Sequence, residues 1–276
     1  MTVVVPAPTL PEIPLWRILD AIGRGEIHPH YQPIVSLQTG DVLGVEALAR
    51  WNFPGRGLLA AAAFVPTLER ARRVTDLTAF MLDRACADLA AWQRRFALPV
   101  GFRVAINVSA TELGDRRLAP LVREALADHH ISAGSICLEL TETAEIDNFE
   151  LAATILVELA TDVGIRLAVD DFGTGYAAGG YLTSFPFDTV KIDQVFIAGM
   201  SHRSDHADFV RATIGYAHGR SLGVVAEGIE NRGQADALLS VGCTAGQGFG
   251  LGMPRPADQI LDRRFGIQTQ GLVPTL

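Results

Sequence analysis

The stretch HPHYQPIVSLQTGDVLGVEALARW, residues 28–51, decides the fold. It divides into two apolar runs, HPHYQPIV and VLGVEALARW, separated only by SLQTGD. That spacer is of hairpin length and too short for the helical crossover that joins parallel strands. The first strand is therefore expected to run antiparallel to the second. Within VEALAR, residues 45–50, Val45, Ala47 and Ala49 alternate with Glu46, Leu48 and Arg50, the pattern of a strand with two different faces. Glu46 stands in an apolar run with no cation before Arg50. A buried carboxylate is costly unless it is paired or bound to a metal.

Beyond this hairpin the chain alternates short apolar runs with helical patterns. The runs are RVAINVSA, ICLELTET, RLAVDDFG, TVKIDQVF, GVVAEGIE and GQGFGL. Between two of them, Ala152, Ile155, Leu156 and Leu159 repeat at helical spacing, with Asp147 or Asn148 as the expected cap. Leu82, Ala85, Leu89 and Trp92 form a second such stripe, capped by Thr75 or Asp76. Eight strands alternating with helices predict a sheet covered by helices. For 276 residues the expected fold is α/β, a closed (β/α)8 TIM-like barrel with one antiparallel strand, the first. An open doubly wound sheet is the alternative. The expected boundaries are a Pro-rich N-terminal tail over 1–13, the barrel over 14–266 and a C-terminal tail over 267–276.

Composition narrows the function. A net charge of −8 argues against a broad nucleic-acid footprint, so no DNA or RNA polymer is an expected partner. A small anionic ligand held by metals remains open. Cys86, Cys137 and Cys243 are far apart and form no C-x-x-C pair, which disfavours a disulfide framework or a zinc knuckle and fits a reducing cytoplasm. No charge-free apolar run reaches about 18 residues, so no membrane span is expected. The opening MTVVVPAPTLPEIP has no basic region and does not read as a signal peptide.

In a barrel of this kind chemistry gathers at the C-terminal ends of the strands. There the sequence places Glu46, Asn107, Glu139, Asp170, Asp171, Lys191, Glu227 and Gln247, each after an apolar or small run. Singly they have plainer readings: an ion-pair partner for Glu46 or Glu139, a turn for Asn107 or Asp170-Asp171, a surface lysine for Lys191. Jointly, each would need its own buried partner, and a shared site is the simpler account. Five carboxylates and one ammonium leave −4 if all are ionised. Crowded carboxylates take up protons or recruit cations. Two divalent ions would balance the charge, and oxygen ligands select hard ions, Mg²⁺ or Mn²⁺. Such a pair points to phosphoryl chemistry. Lys191 could orient water or steady developing charge. Arg50, four residues after Glu46 on the same face, could hold a second phosphate. The histidines at 28, 30, 129, 130, 202, 206 and 218 are read as forming no ligand-spaced set, with His129-His130 as a helix end.

These residues carry a family resemblance. YQPIV, EALAR-W, INVS, LELTE, DDFGTGY, VKID, VVAEGIE and QGFG occur in order, and the chain resembles the EAL domain, the bacterial cyclic di-GMP phosphodiesterase module, over about residues 14–266. The resemblance implies hydrolysis of cyclic di-GMP to linear 5'-pGpG with two Mg²⁺ or Mn²⁺ ions per site, Ca²⁺ binding without supporting turnover. It implies that Glu46, Asn107, Glu139 and Asp170 hold one metal, and that Asp170 bridges to a second with Asp171 and Glu227. It implies that Lys191 and Gln247 position water, that Glu142 braces the loop after DDFG, that Glu230 is a second glutamate near the site, and that Gln32, Leu48 and Arg50 touch substrate. A homodimer is the expected assembly, and a stand-alone EAL protein is expected because no GGDEF cyclase module precedes the barrel.

Two departures from the family pattern stand out. AAGG, residues 177–180, replaces two serines and a leucine, and Thr244 replaces an aspartate. The first adds glycine freedom and removes possible serine caps beside the Asp170-Asp171 loop. It keeps open a weak or inactive EAL domain that acts as a cyclic di-GMP receptor or interaction module. A Schiff-base lyase using Lys191 is the third reading, disfavoured because surrounding acids hold the amine protonated.

Overall fold

A computed structural model describes residues 12–141, 146–175 and 180–260. Glu142 and residues 177–179 lie outside the described residues. In chain order the elements are α1 (Leu15–Gly23), β1 (Ile27–Ser36), β2 (Val42–Phe53), β3 (Gly57–Ala60), α2 (Val65–Arg70), α3 (Val74–Arg95), β4 (Arg103–Val108), α4 (Leu118–Asp128), β5 (Ile136–Thr141), α5 (Phe149–Val157), β6 (Arg166–Phe172), α6 (Gly180–Ser184), β7 (Thr189–Ile192), α7 (Gln194–Gly199), α8 (Ser204–Gly219), β8 (Gly223–Ala226), α9 (Arg232–Ser240), β9 (Ala245–Gly246) and α10 (Ala257–Ile260).

The sheet runs β1-β9-β8-β7-β6-β5-β4-β2-β3, and β1 also pairs with β2, which closes eight strands into a barrel. β1 is antiparallel to both neighbours, while β2 and β4 through β9 run parallel. The hairpin reading of SLQTGD therefore holds. β3 lies outside the barrel as a short antiparallel partner of β2, and the sequence reading did not include it. The last strand is only Ala245–Gly246, shorter than GQGFGL suggested.

The helix stripes bury as their spacing requires. Leu82, Ala85, Leu89 and Trp92 face the core from α3, and Ala152, Ile155, Leu156 and Leu159 face it from α5 and its continuation. Asn148 caps α5 by accepting from the Leu151 amide at 3.0 Å. Neither Thr75 nor Asp76 caps α3: the cap position is Arg73, two or three residues earlier, and Thr75 is buried within the helix. Ile13, at the end of the expected tail, is buried in the core. Inside the barrel Ala105, Cys137 and Ala168 form a separate layer of small side chains. They stand two residues before Asn107, Glu139 and Asp170, so this layer lies directly beneath the polar one and leaves room for long polar side chains above it.

β2 approaches β4 closely at Gly44, where an added Cβ would stand 2.6 Å from the Arg103 carbonyl oxygen. Gly44→Ala is expected to destabilise the fold by about 1–3 kcal/mol, because both partners are backbone and neither can yield. Urea unfolding measures this, and an unchanged midpoint would contradict it.

A second prediction concerns Glu112, which ties the segment after β4 to α3. Its Oε2 accepts from the Ser109 amide at 3.0 Å and from the Thr78 hydroxyl at 2.9 Å. Its Oε1 is buried with no hydrogen-bond partner among the described residues. Burial pushes its carboxyl up to about 7, against the hydrogen bonds that favour ionisation. The folded protein thus holds a proton that the unfolded chain releases near 4.5. Stability is lost as pH rises from that value through 7. Glu112→Gln should flatten this part of the profile and stabilise the protein at pH 8 by roughly 1–3 kcal/mol. Urea midpoints at pH 5 and pH 8 test it; equal pH dependence in both proteins would refute it.

Candidate active site

Register brings the polar residues to the same end of the barrel, staggered from strand to strand. Glu46 pairs with Ala105, Asn107 with Glu139, and Thr141 with Asp170 along adjacent strands. Lys191 lies on β7 opposite Val225, and Glu227 and Gln247 follow directly on β8 and β9. The Glu227 amide bonds the Ile192 carbonyl at 3.0 Å, and the Gln247 amide bonds the Ala226 carbonyl at 2.8 Å.

Asp170 and Asp171 pose a problem, since successive strand residues point to opposite faces. The solution is a bulge. The pairing of β6 with β7 shifts between Val169 and Phe172, and Asp171 takes a left-handed φ of 52°. A non-glycine residue there costs about 1–2 kcal/mol. The extra residue lets both carboxylates contribute to the same acidic mouth.

Lys191 is buried at the centre. Its Nζ lies 2.8 Å from Glu139 Oε2, 2.8 Å from Glu227 Oε1, 3.1 Å from Asp170 Oδ1 and 3.3 Å from Glu46 Oε2. Around it, Asn107 Nδ2 donates to Glu46 Oε1 at 2.7 Å. Gln247 Nε2 donates to Glu46 Oε2 at 2.7 Å and to Gln32 Oε1 at 3.0 Å. Gln32 Nε2 donates to the Gly252 carbonyl at 3.0 Å.

Burial opposes ionisation of Lys191, but the charges of Asp170, Glu139, Glu227 and Glu46 outweigh it and raise the amine well above its usual range. An amine held in its protonated form by neighbouring acids is a poor nucleophile toward a carbonyl, which counts against the lyase reading. Burial also acts on the acids. It lifts Glu139 well above and Asp170 above the usual carboxylate range, Glu227 to about 8 and Asp171 to about 6. In Glu46 burial is overcome by Lys191, Gln247 and Asn107, which hold its carboxylate below the usual range.

Two groups of carboxylates are spaced to hold cations: Glu46 with Glu139 and Asp170, and Asp170 with Asp171 and Glu227, the ligand atoms of each lying within 4.8 Å of one another. Asp170 belongs to both. Its Oδ1 and Gln247 Oε1 are buried without a hydrogen bond among the described residues, although Lys191 Nζ is at ion-pair distance from the former. All-oxygen donors, the unpartnered Gln247 Oε1 and acids forced toward protonation fit hard divalent ions.

The other expected site residues divide. Gln32 faces Glu46 across the β1–β2 pair, and Leu48 and Arg50 follow Glu46 on its face toward the rim. Glu230 is exposed and outside both carboxylate groups; its amide bonds Gln234 Oε1 at 2.8 Å. Asp193 was not singled out from the sequence. It caps α7 by accepting from the Val195 amide at 2.8 Å and bears on Asp171, whose ionisation it opposes. No histidine belongs to a metal-spaced group of three among the described residues; His28 and His30, two apart on β1, share a face with their Nε2 atoms 3.3 Å apart.

Fold and site together define a βα-barrel with one inverted strand and an acidic, metal-competent mouth. The chain belongs to the EAL domain family, whose model matches residues 16–254. It is 37% identical over 245 residues to an uncharacterized protein of Mycobacterium tuberculosis, covering 89% of this chain and 38% of that one. It is 36% identical over 250 residues to the bifunctional diguanylate cyclase/cyclic di-GMP phosphodiesterase MucR of Pseudomonas aeruginosa, covering 90% of this chain and 36% of MucR. The chain thus spans little more than a third of these relatives' length. The solved structure of the PaMucR phosphodiesterase in complex with c-di-GMP is similar with a TM-score of 0.83 and 35% identity, covering 90% of this chain and 99% of that one. No helix among the described residues is long and apolar enough to cross a membrane.

Proposed function

We propose that this chain is a cyclic di-GMP phosphodiesterase, hydrolysing the cyclic dinucleotide to linear 5'-pGpG. The observation that carries the reading is the pair of carboxylate groups sharing Asp170, with the Lys191 ammonium among them. The chain's similarity to MucR and to the PaMucR complex supports the substrate.

In this reading Glu46, Asn107, Glu139 and Asp170 hold one Mg²⁺ or Mn²⁺, and Asp170, Asp171 and Glu227 hold a second. When bound, the ions supply positive charge to the phosphoryl group and lower the pKa of water. The protein's own groups do the positioning. Gln247 is fixed by its two donor bonds, which leaves Oε1 free to accept a hydrogen bond from water. Lys191 donates toward the oxygens that gain charge as water adds to phosphorus and the bond to the ribose 3′ oxygen breaks. Gln32, Leu48 and Arg50 line the approach, with Arg50 placed to take the second phosphate. The assembly proposed is a cytoplasmic homodimer.

Incubation of the full chain with cyclic di-GMP and Mn²⁺ or Mg²⁺, with products resolved by chromatography, tests the reading. Linear pGpG is the expected product. Ca²⁺, larger and less demanding of octahedral geometry, should bind without supporting hydrolysis. Binding without product under all metals would replace the enzyme reading by that of a receptor.

A further inference from the structure

The β1–β2 hairpin extends above the carboxylates, and its inner face carries a feature that the phosphodiesterase reading does not use. Gln32 opposes Glu46, His30 opposes Leu48, and His28 opposes Arg50, so the two histidines rise in sequence from the site to the rim. His30 is 8% exposed and His28 partly buried. Their ring centroids are 5.1 Å apart and the planes are tilted by 47°.

Their Nε2 atoms lie 3.3 Å apart, at the long end of hydrogen-bond reach. A hydrogen bond between two imidazoles would usually be shorter, about 2.9–3.0 Å. Two nitrogens bound tetrahedrally to one ion at about 2.0–2.1 Å are separated by about 3.4 Å. The rings already stand at that separation. The Pro254 carbonyl acts on His30 in the sense that favours a ring N–H. Burial, together with the nearby His28 and Arg50, favours the neutral ring that a metal needs.

We propose that His28 and His30 bind a borderline transition-metal ion, Zn²⁺ or Cu²⁺, at the rim of the barrel, apart from the carboxylate centre. No third His, Cys, Asp or Glu joins them among the described residues, so water or an anion completes the coordination. Arg50 opposite His28 favours an anion in that position and keeps the affinity below that of a three-histidine site. Imidazole ligands select Zn²⁺ or Cu²⁺ over the hard ions suited to the carboxylates. The proposal rests on the placement of the two rings and stands whether or not the chain turns over cyclic di-GMP.

The test uses the full chain in saturating Mg²⁺, which occupies hard-ion sites. Zn²⁺ titration calorimetry is run beside Cu²⁺ electron paramagnetic resonance, which reports bound nitrogens. The expected result is one Zn²⁺ site and a Cu²⁺ signal with two imidazole nitrogens. His28→Asn and His30→Gln should each weaken Zn²⁺ at least about tenfold, the loss that even an outer partner of a ligand can cause. Glu139→Gln should leave it intact. Metal-free thermal melts confirm that the histidine variants fold, and the partly exposed His28 provides a variant with little core disruption. Zn²⁺ binding by the wild type no tighter than by the double variant, or a Cu²⁺ signal unchanged by both substitutions, would overturn the proposal.

Discussion

Lys191→Ala is expected to abolish turnover while leaving cyclic di-GMP binding largely intact. The side chain is long, buried and directed at four carboxylates, with Nζ 2.8–3.3 Å from each. In the proposed mechanism its interactions with substrate oxygens strengthen only as charge develops, so its loss should lower the rate and not the affinity. Removing one such donor commonly costs about 10²–10³ in rate. The same substitution strips the acids of their internal counter-ion. Breaking a buried ion pair costs about 3–5 kcal/mol when the remaining charge is uncompensated. Several of these acids lean toward protonation, which reduces that figure. The variant should therefore melt lower than wild type without metal and regain stability when Mn²⁺ is added. Product formation under saturating Mn²⁺, binding by calorimetry and melts with and without metal read out the three effects. A near-normal rate would sink the assignment.

Glu46→Ala should lose metal affinity and activity together. Of the five carboxylates, this one is held most firmly ionised, by Lys191, Gln247 and Asn107. In the proposed ligand role it needs no deprotonation when a cation arrives. Its removal also leaves Asn107 Nδ2 and the Gln247 amide without the acceptor they now share. Supporting partners alone alter metal affinity about 10–100-fold, and loss of a ligand should reach at least that range. Calorimetry with Mn²⁺ measures it. Unchanged affinity would take Glu46 out of the ligand set and leave it as a partner of Lys191 alone.

The barrel was legible because its signals are local. Six residues between two runs forced a hairpin, and apolar runs ending in a polar residue marked the strands at the mouth. What escaped depends on geometry that residue types do not encode. DD in RLAVDDFG was visible as acidic, but on a regular strand one of the two would face away. Only the shifted register and the positive φ of Asp171 bring both into play. Lys191 was placed near the acids by strand order, yet its position within reach of four of them depends on the small layer of Ala105, Cys137 and Ala168 below. That His28 and His30 share a face follows from the two-residue period of β1 and shows only once that strand is formed. Asp193 was hidden for a similar reason: its capping role is plain only once α7 begins beside it.

The inversion of β1 has a mechanical consequence. Because it runs against its neighbours, its first residue sits level with Trp51 at the mouth end of β2. Helix α1 therefore feeds the chain in at the rim. The joint is stiff: the Arg17 guanidinium grips Glu26 at 2.6 Å, Glu26 also accepts from the Trp51 indole at 3.1 Å, and the Asn52 amide bonds the Glu26 carbonyl at 3.0 Å. A force applied to α1 is passed through this clasp to the top of the hairpin, only a few residues from Arg50 and Gln32. In a barrel of eight parallel strands the same pull would arrive at the far end, with the whole packed interior between the handle and the mouth.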